Sequence, residues 1–176
     1  MRLFAEEKKS DTIELLFTLP LTPTQAVLGK FFAAWTVIGL ALVMTCPMVI
    51  TVCYLGRPDA GPIITGYIGS MLLAGTYLAI GSLFSSLTRN QVIAFVLAVV
   101  ACAVFLYASS PMAMDYLSGF APMGLVEGVE SLSIQMRFES MMRGVIELGD
   151  VAFFVILGAT CLCANVLTLK ERMAAG

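Results

Sequence analysis

The side chains that could do chemistry are few, and most lie at the ends of long apolar stretches. Histidine is absent, so His-dependent triads, His-ligated zinc or haem and HExxH chemistry are excluded. The five cysteines, Cys46, Cys53, Cys102, Cys161 and Cys163, all fall in apolar stretches and read as buried free thiols acting as small hydrophobes. Cys161 and Cys163 would stand about 200° apart on a helix, a poor arrangement for a shared metal. The one Gly-Lys pair, Gly29-Lys30, has Thr24 where a phosphate-binding loop needs its first glycine and Phe31 where it needs Ser or Thr. The apolar stretches hold no Asp, Glu, Lys or Arg. That leaves no general acid–base pair for an intramembrane enzyme and none of the buried charges used by proton-coupled carriers. No catalytic residue, metal site or cofactor is expected.

The elements that carry these residues belong in lipid. Of 176 residues, 59% are hydrophobic and only 12% are charged, and the mean hydropathy is +0.93. Soluble domains carry about 25% charged residues and cannot hide so large an apolar excess. The net charge of -2 excludes a basic nucleic-acid binder. Charge is missing altogether over 31–56, 60–88, 90–114 and 151–169. A helix needs roughly 20 apolar residues to cross the hydrocarbon, so four transmembrane helices are expected, at about 31–54, 63–87, 91–109 and 151–169. Buried core helices of a large soluble protein are the competing reading, but such helices rarely run so long without a polar face.

The connections set the topology. Gly56 to Pro62 forms a turn, and Thr88-Arg89-Asn90 leaves room only for a tight hairpin. Placing both termini and Arg89 in the cytoplasm gathers Arg2, Lys8, Lys9, Lys30, Arg89, Lys170 and Arg172 there. Only Arg57, Arg137 and Arg143 remain outside, in keeping with the positive-inside bias. Pro47, in mid-span, should kink the first helix. Along the second span Gly66, Ser70, Ala74, Tyr77, Gly81 and Ser85 recur at steps of three or four. They read as a helix-packing seam, with a path-lining role as the alternative.

Two further segments are patterned. Met1-Arg2-Leu3-Phe4 runs into Glu6-Glu7-Lys8-Lys9 with no apolar core, so a signal peptide is not expected. Asp11 and Glu14 resemble a capping box, Ile13, Leu16 and Phe17 share a face, and Pro20 stops the helix. Thr22, Pro23 and Gln25 start a second helix that runs on into the first span. Residues 1–30 therefore form either an interfacial anchor or a cytoplasmic elbow presented to a partner. In the extracytoplasmic segment 110–149, Pro111 to Gly128 is irregular and apolar. Beyond it, Ser133 caps an amphipathic helix whose Ile134, Phe138, Met141, Met142 and Val145 face one way. This helix reads as an interfacial connector or as a lid over an exit.

The stretch Arg2 to Pro20, ending further on in Leu28-Gly29-Lys30, resembles the cytoplasmic signature of type-2 ABC exporter permeases, and most of all their gliding-motility-type subgroup. Asp11 stands where that family often has glycine. Ala79-Ile80-Gly81 through Ser85-Ser86-Leu87-Thr88-Arg89-Asn90-Gln91 resembles the family's turn between two spans. Phe138-Glu139 through Arg143-Gly144-Val145-Ile146, with Asp150, is a third match. Such permeases usually have six helices, with the signature between the second and third, so helices one and two are expected to be missing here.

The resemblance implies an all-α integral membrane permease subunit of an ATP-driven exporter in the bacterial inner membrane. It is not itself an enzyme. Its partners would be a separate ABC-type ATPase, a second permease copy or paralogue, and membrane lipids, with no nucleic acid. The elbow residues Glu6, Glu7, Lys8, Thr12, Glu14, Leu15, Leu16 and Pro20 would couple to the ATPase. A non-transporting scaffold or assembly subunit, or an inactive truncated permease, is the alternative.

Overall fold

In the computed structural model the described residues are 22–56, 58–88, 90–107 and 134–175, and every element among them is helical. The first helix, α1 (Pro23–Met44), begins as its sequence dictates. The Gln25 N–H donates to the Thr22 hydroxyl at 3.4 Å, and the Thr22 N–H donates back to the Gln25 side-chain oxygen at 3.1 Å. Two of the helix's orphan donors are thereby satisfied reciprocally. The helix passes through Lys30 into the apolar stretch without a break.

Pro47 interrupts it where expected. It has no N–H to continue the ladder, so the chain turns at Thr45 and restarts as α2 (Cys46–Leu55). At the break the Thr45 N–H donates to the Leu42 carbonyl at 3.0 Å. The Thr45 hydroxyl lies 2.6 Å from that carbonyl and 2.6 Å from the Tyr67 hydroxyl.

The long helix α3 (Ala60–Leu87) is the hub. It packs against α1, against α4 (Gln91–Tyr107), against the short α5 (Ile134–Met142) and, most extensively, against α6 (Leu148–Ala175). Its buried residues are nearly all small or hydroxylic, with Ile80 as the one large side chain: Thr65, Gly66, Gly69, Gly75, Thr76, Ala79, Gly81, Ser82, Ser85 and Ser86. Lipid tails are as apolar as leucine, so helices associate in a membrane by close approach and polar pairing rather than by expelling water. A small-residue hub allows that approach on several sides at once.

Contacts fix the directions. Trp35 of α1 meets Met71 while Thr45 meets Tyr67, so α1 and α3 are antiparallel. Thr76 meets Phe154 and Ser86 meets Thr168, so α3 and α6 run the same way. Thr22, residues 88 and 90, and Lys170 therefore lie at one end of the bundle. The α2–α3 turn, α5 and the start of α6 lie at the other.

Three helices are long and apolar enough to cross a membrane: Thr24–Leu55, Ala60–Leu87 and Leu148–Glu171. Gln91–Tyr107 is a shorter apolar helix in the place of the third expected span, 91–109. The last span is longer than its charge-free core because helical backbone continues into the polar flanks at Leu148–Asp150 and Lys170–Ala175.

The amphipathic helix differs from its expected form. It ends at Met142, and the chain turns at Gly144, whose φ of +92 lies in the left-handed region that favours glycine. Val145 therefore falls in the connection and is exposed, as is Met142. Ile134 and Met141 are fully buried among Leu72, Leu73, Tyr77, Phe138, Phe154 and their neighbours. Part of its apolar face, Ile134 and Met141, thus packs into the bundle.

Candidate functional site

The small residues of α3 meet three neighbours. Towards α5, a Cβ on Gly69 would come within 3.0 Å of the Met141 sulfur, and one on Gly66 within 3.3 Å of the Met142 sulfur. The Thr65 hydroxyl donates across this contact to the Met141 carbonyl at 2.6 Å. On the α1 side a Cβ on Gly75 would stand 3.0 Å from the Trp35 indole nitrogen. That nitrogen donates to the Met71 carbonyl at 3.0 Å.

Towards α6 the face is polar. The Thr76 hydroxyl lies 3.3 Å from the Phe154 carbonyl, the Asn165 amide donates to the Ser82 hydroxyl at 3.2 Å, and Ser86 and Thr168 face each other at 3.2 Å. Of the residues that sequence spacing assigns to a seam, Gly66, Gly81 and Ser85 are buried, while Ser70 and Ala74 are half-buried. Spacing alone misses Thr65, Gly69, Gly75, Thr76, Ser82, Ser86 and Asn165. Asn165 carried a readable signal. It is the sole Asn or Gln in the interior of the charge-free stretches, and polar side chains at membrane depth tend to be functional or to join helices.

The far end of the bundle is held by charge. Asp150, in the first turn of α6, is 5% exposed and accepts from the Arg137 guanidinium at 3.0 Å. The same guanidinium lies over the Phe153 ring, 4.4 Å from its centre. The helix N-terminus favours the Asp150 carboxylate as well. This pair ties α5 to α6 where α5 caps the bundle.

Two apolar recesses flank α3. One, of about 500 Å³, opens between the α1–α2 break and α3. It is lined by Thr45, Met48, Val52, Ile63, Tyr67 and Ser70, among others. The second, of about 220 Å³, lies between α1, α3 and α6 around Phe31, Trp35, Gly75, Thr76 and Phe154. Neither holds a charged side chain.

The cysteines depart from expectation. Cys46, Cys53 and Cys163 are exposed on outward faces, and Cys102 and Cys161 are half-buried. An apolar helix in lipid need not bury its small hydrophobes. Among the described residues no three metal-ligating side chains come together. Glu6, Glu7, Lys8, Thr12, Glu14, Leu15, Leu16 and Pro20 lie outside the described residues.

Apolar helices packed through small and hydroxylic residues, with charge held at the ends, define a multi-pass all-α membrane protein. The match to known families then narrows the class. The chain belongs to the ABC-2 family of transporter proteins, whose family model matches residues 1–170. It is thus a permease-type membrane component of an ABC transporter. Searches of curated proteins and of solved structures found no match to the chain.

Proposed function

We propose that the chain is the permease subunit of an ATP-driven exporter and that a separate ATPase drives it through the segment 1–30. One observation carries this reading. The family match includes that charged segment, while the chain's one Gly-Lys pair lacks the residues of a nucleotide-binding loop. Glu6, Glu7, Lys8, Thr12, Glu14, Leu15, Leu16 and Pro20 are the docking residues in this account. Gly66, Ser70, Ala74, Gly81 and Ser85 serve helix packing.

The Arg2 to Pro20 pattern supports placement in the gliding-motility-type subgroup and in the bacterial inner membrane. The clustering of Lys30 and Lys170 at one end of the bundle supports cytoplasmic termini. Uncharged recesses suit a lipidic or amphipathic cargo, and the outward apolar faces of α1, α2 and α4 suit lipid and a second permease copy.

The test is co-purification with a co-expressed P-loop ATPase from detergent. The unaltered chain should bring the ATPase with it, and a Lys8→Glu, Glu14→Lys variant should lose it. Equal recovery with both chains would refute the coupling role of the segment.

A further inference from the structure

The larger recess, of about 500 Å³, has the size of a small-molecule site, and its few polar groups are specifically placed. At the α1–α2 break the Thr45 hydroxyl lies 2.6 Å from the Leu42 carbonyl and 2.6 Å from the Tyr67 hydroxyl. A carbonyl can only accept, and a hydroxyl has one proton to give. Both short contacts receive a proton in one arrangement alone: Thr45 donates to Leu42, and Tyr67 donates to Thr45. The Tyr67 oxygen then keeps its capacity to accept. Ser70 stands about one turn further along α3 and lines the same recess. Among the described residues its hydroxyl makes no hydrogen bond, and it can donate as well as accept.

The remaining walls are apolar, and Met48 and Met142 are exposed, flexible side chains that can mould to an occupant. No charged side chain lines the recess, so an ionised group there would have no partner. Thr45, Met48 and Val52 belong to one membrane-crossing helical stretch, and Ile63, Tyr67 and Ser70 to the next. An occupant therefore arrives sideways, from the bilayer. A bare hydrocarbon chain would leave the Tyr67 oxygen and the Ser70 hydroxyl unmatched. We propose that the recess binds an uncharged, hydroxyl-bearing lipid, in its simplest form a long-chain alcohol, whose hydroxyl donates to Tyr67 and pairs with Ser70. That this lipid is cargo rests on the permease reading above. Its binding needs no ATPase, so the two can fail separately.

Photolabelling tests the binding. The probe is a twelve-carbon primary alcohol with a diazirine in its chain, added to the full chain in phosphatidylcholine nanodiscs without an ATPase. Saturable labelling is expected on peptides that hold Met48, Val52 or Ile63. Competition by 1-dodecanol should remove it, while dodecane and dodecyltrimethylammonium should not. Tyr67→Phe and Ser70→Ala should each raise the half-saturating concentration about threefold, the scale of one hydrogen bond. Leu40→Val, at an exposed position outside the recess, should leave it unchanged. Labelling that dodecane displaces as well as the alcohol does, or that neither hydroxyl variant weakens, would overturn the proposal. So would the absence of saturable labelling, the result for a recess filled by a second copy of the chain.

Discussion

The α1–α2 arm and the α5 clamp reverse the usual relation between hydropathy and burial. The arm is strongly apolar, yet α2 buries no residue at all, and Val37, Leu40, Val43, Met48, Ile50 and Leu55 are all exposed. Helix α5 has nine residues, including Arg137 and Glu139, yet Ile134 and Met141 are completely buried. In water the arm would be drawn inward and α5 pushed out. In lipid the arm already has its solvent, and nothing favours its burial. What draws α5 in is a glycine-lined face on α3, a hydroxyl aimed at Met141, and Asp150 waiting for Arg137. Position in this bundle follows close approach and polar partners more than greasiness.

The comparison can be broken hardest at the clamp. Removing Arg137 leaves the buried Asp150 carboxylate without its guanidinium. Stranding one partner of a buried ion pair costs about 3–5 kcal/mol. The guanidinium is partly exposed, at 29%, so Arg137→Ala should cost about 3 kcal/mol in unfolding in detergent micelles. The double variant Arg137→Ala, Asp150→Ala should recover part of that loss. If it recovers nothing, the pair is not what holds α5.

Next in size is Gly69→Leu. A Cβ there already presses on Met141, so the larger side chain must displace α5, at about 1–3 kcal/mol. Thermal unfolding of the purified chain reads this directly. No change would mean that α5 does not sit against α3 in the native bundle.

The arm should be gentler. Thr45→Val removes the hydroxyl that meets both Leu42 and Tyr67 at the Pro47 break, and should cost about 0.6 kcal/mol, the typical worth of an interhelical hydrogen bond in a membrane. The smallest effect belongs to the outward faces. Leu40→Val or Val99→Leu, at exposed positions, should stay within about 0.5 kcal/mol. A larger loss at either would reveal a protein partner on that face in place of lipid, and would sharpen the contrast with the clamp.

The sequence made some of this legible and hid the rest for physical reasons. The Thr22–Gln25 box and the break near Pro47 were readable because local backbone chemistry decides them. Four apolar helices were readable because charge cannot sit in hydrocarbon. Their ends were not, because helical backbone at Leu148–Asp150 and Lys170–Ala175 runs past the apolar core at no cost. The turn at Gly144 cut short the apolar stripe that spacing would have carried to Val145. The small residues of α3 were visible as a class, but a helix that is small on several sides does not say which side meets which neighbour. Thr65 and Gly69 against α5, Gly75 against Trp35, and Ser82 against Asn165 each depend on where another helix lies. The expected docking segment, from Glu6 to Pro20, lies beyond the described residues.

The chain owns one tryptophan, and its indole N–H is tethered to a carbonyl on the neighbouring helix, with Gly75 leaving space beside it. Ultraviolet emission from Trp35 therefore reports the spacing of those two helices without any added dye. The protein comes with its own optical gauge between α1 and α3.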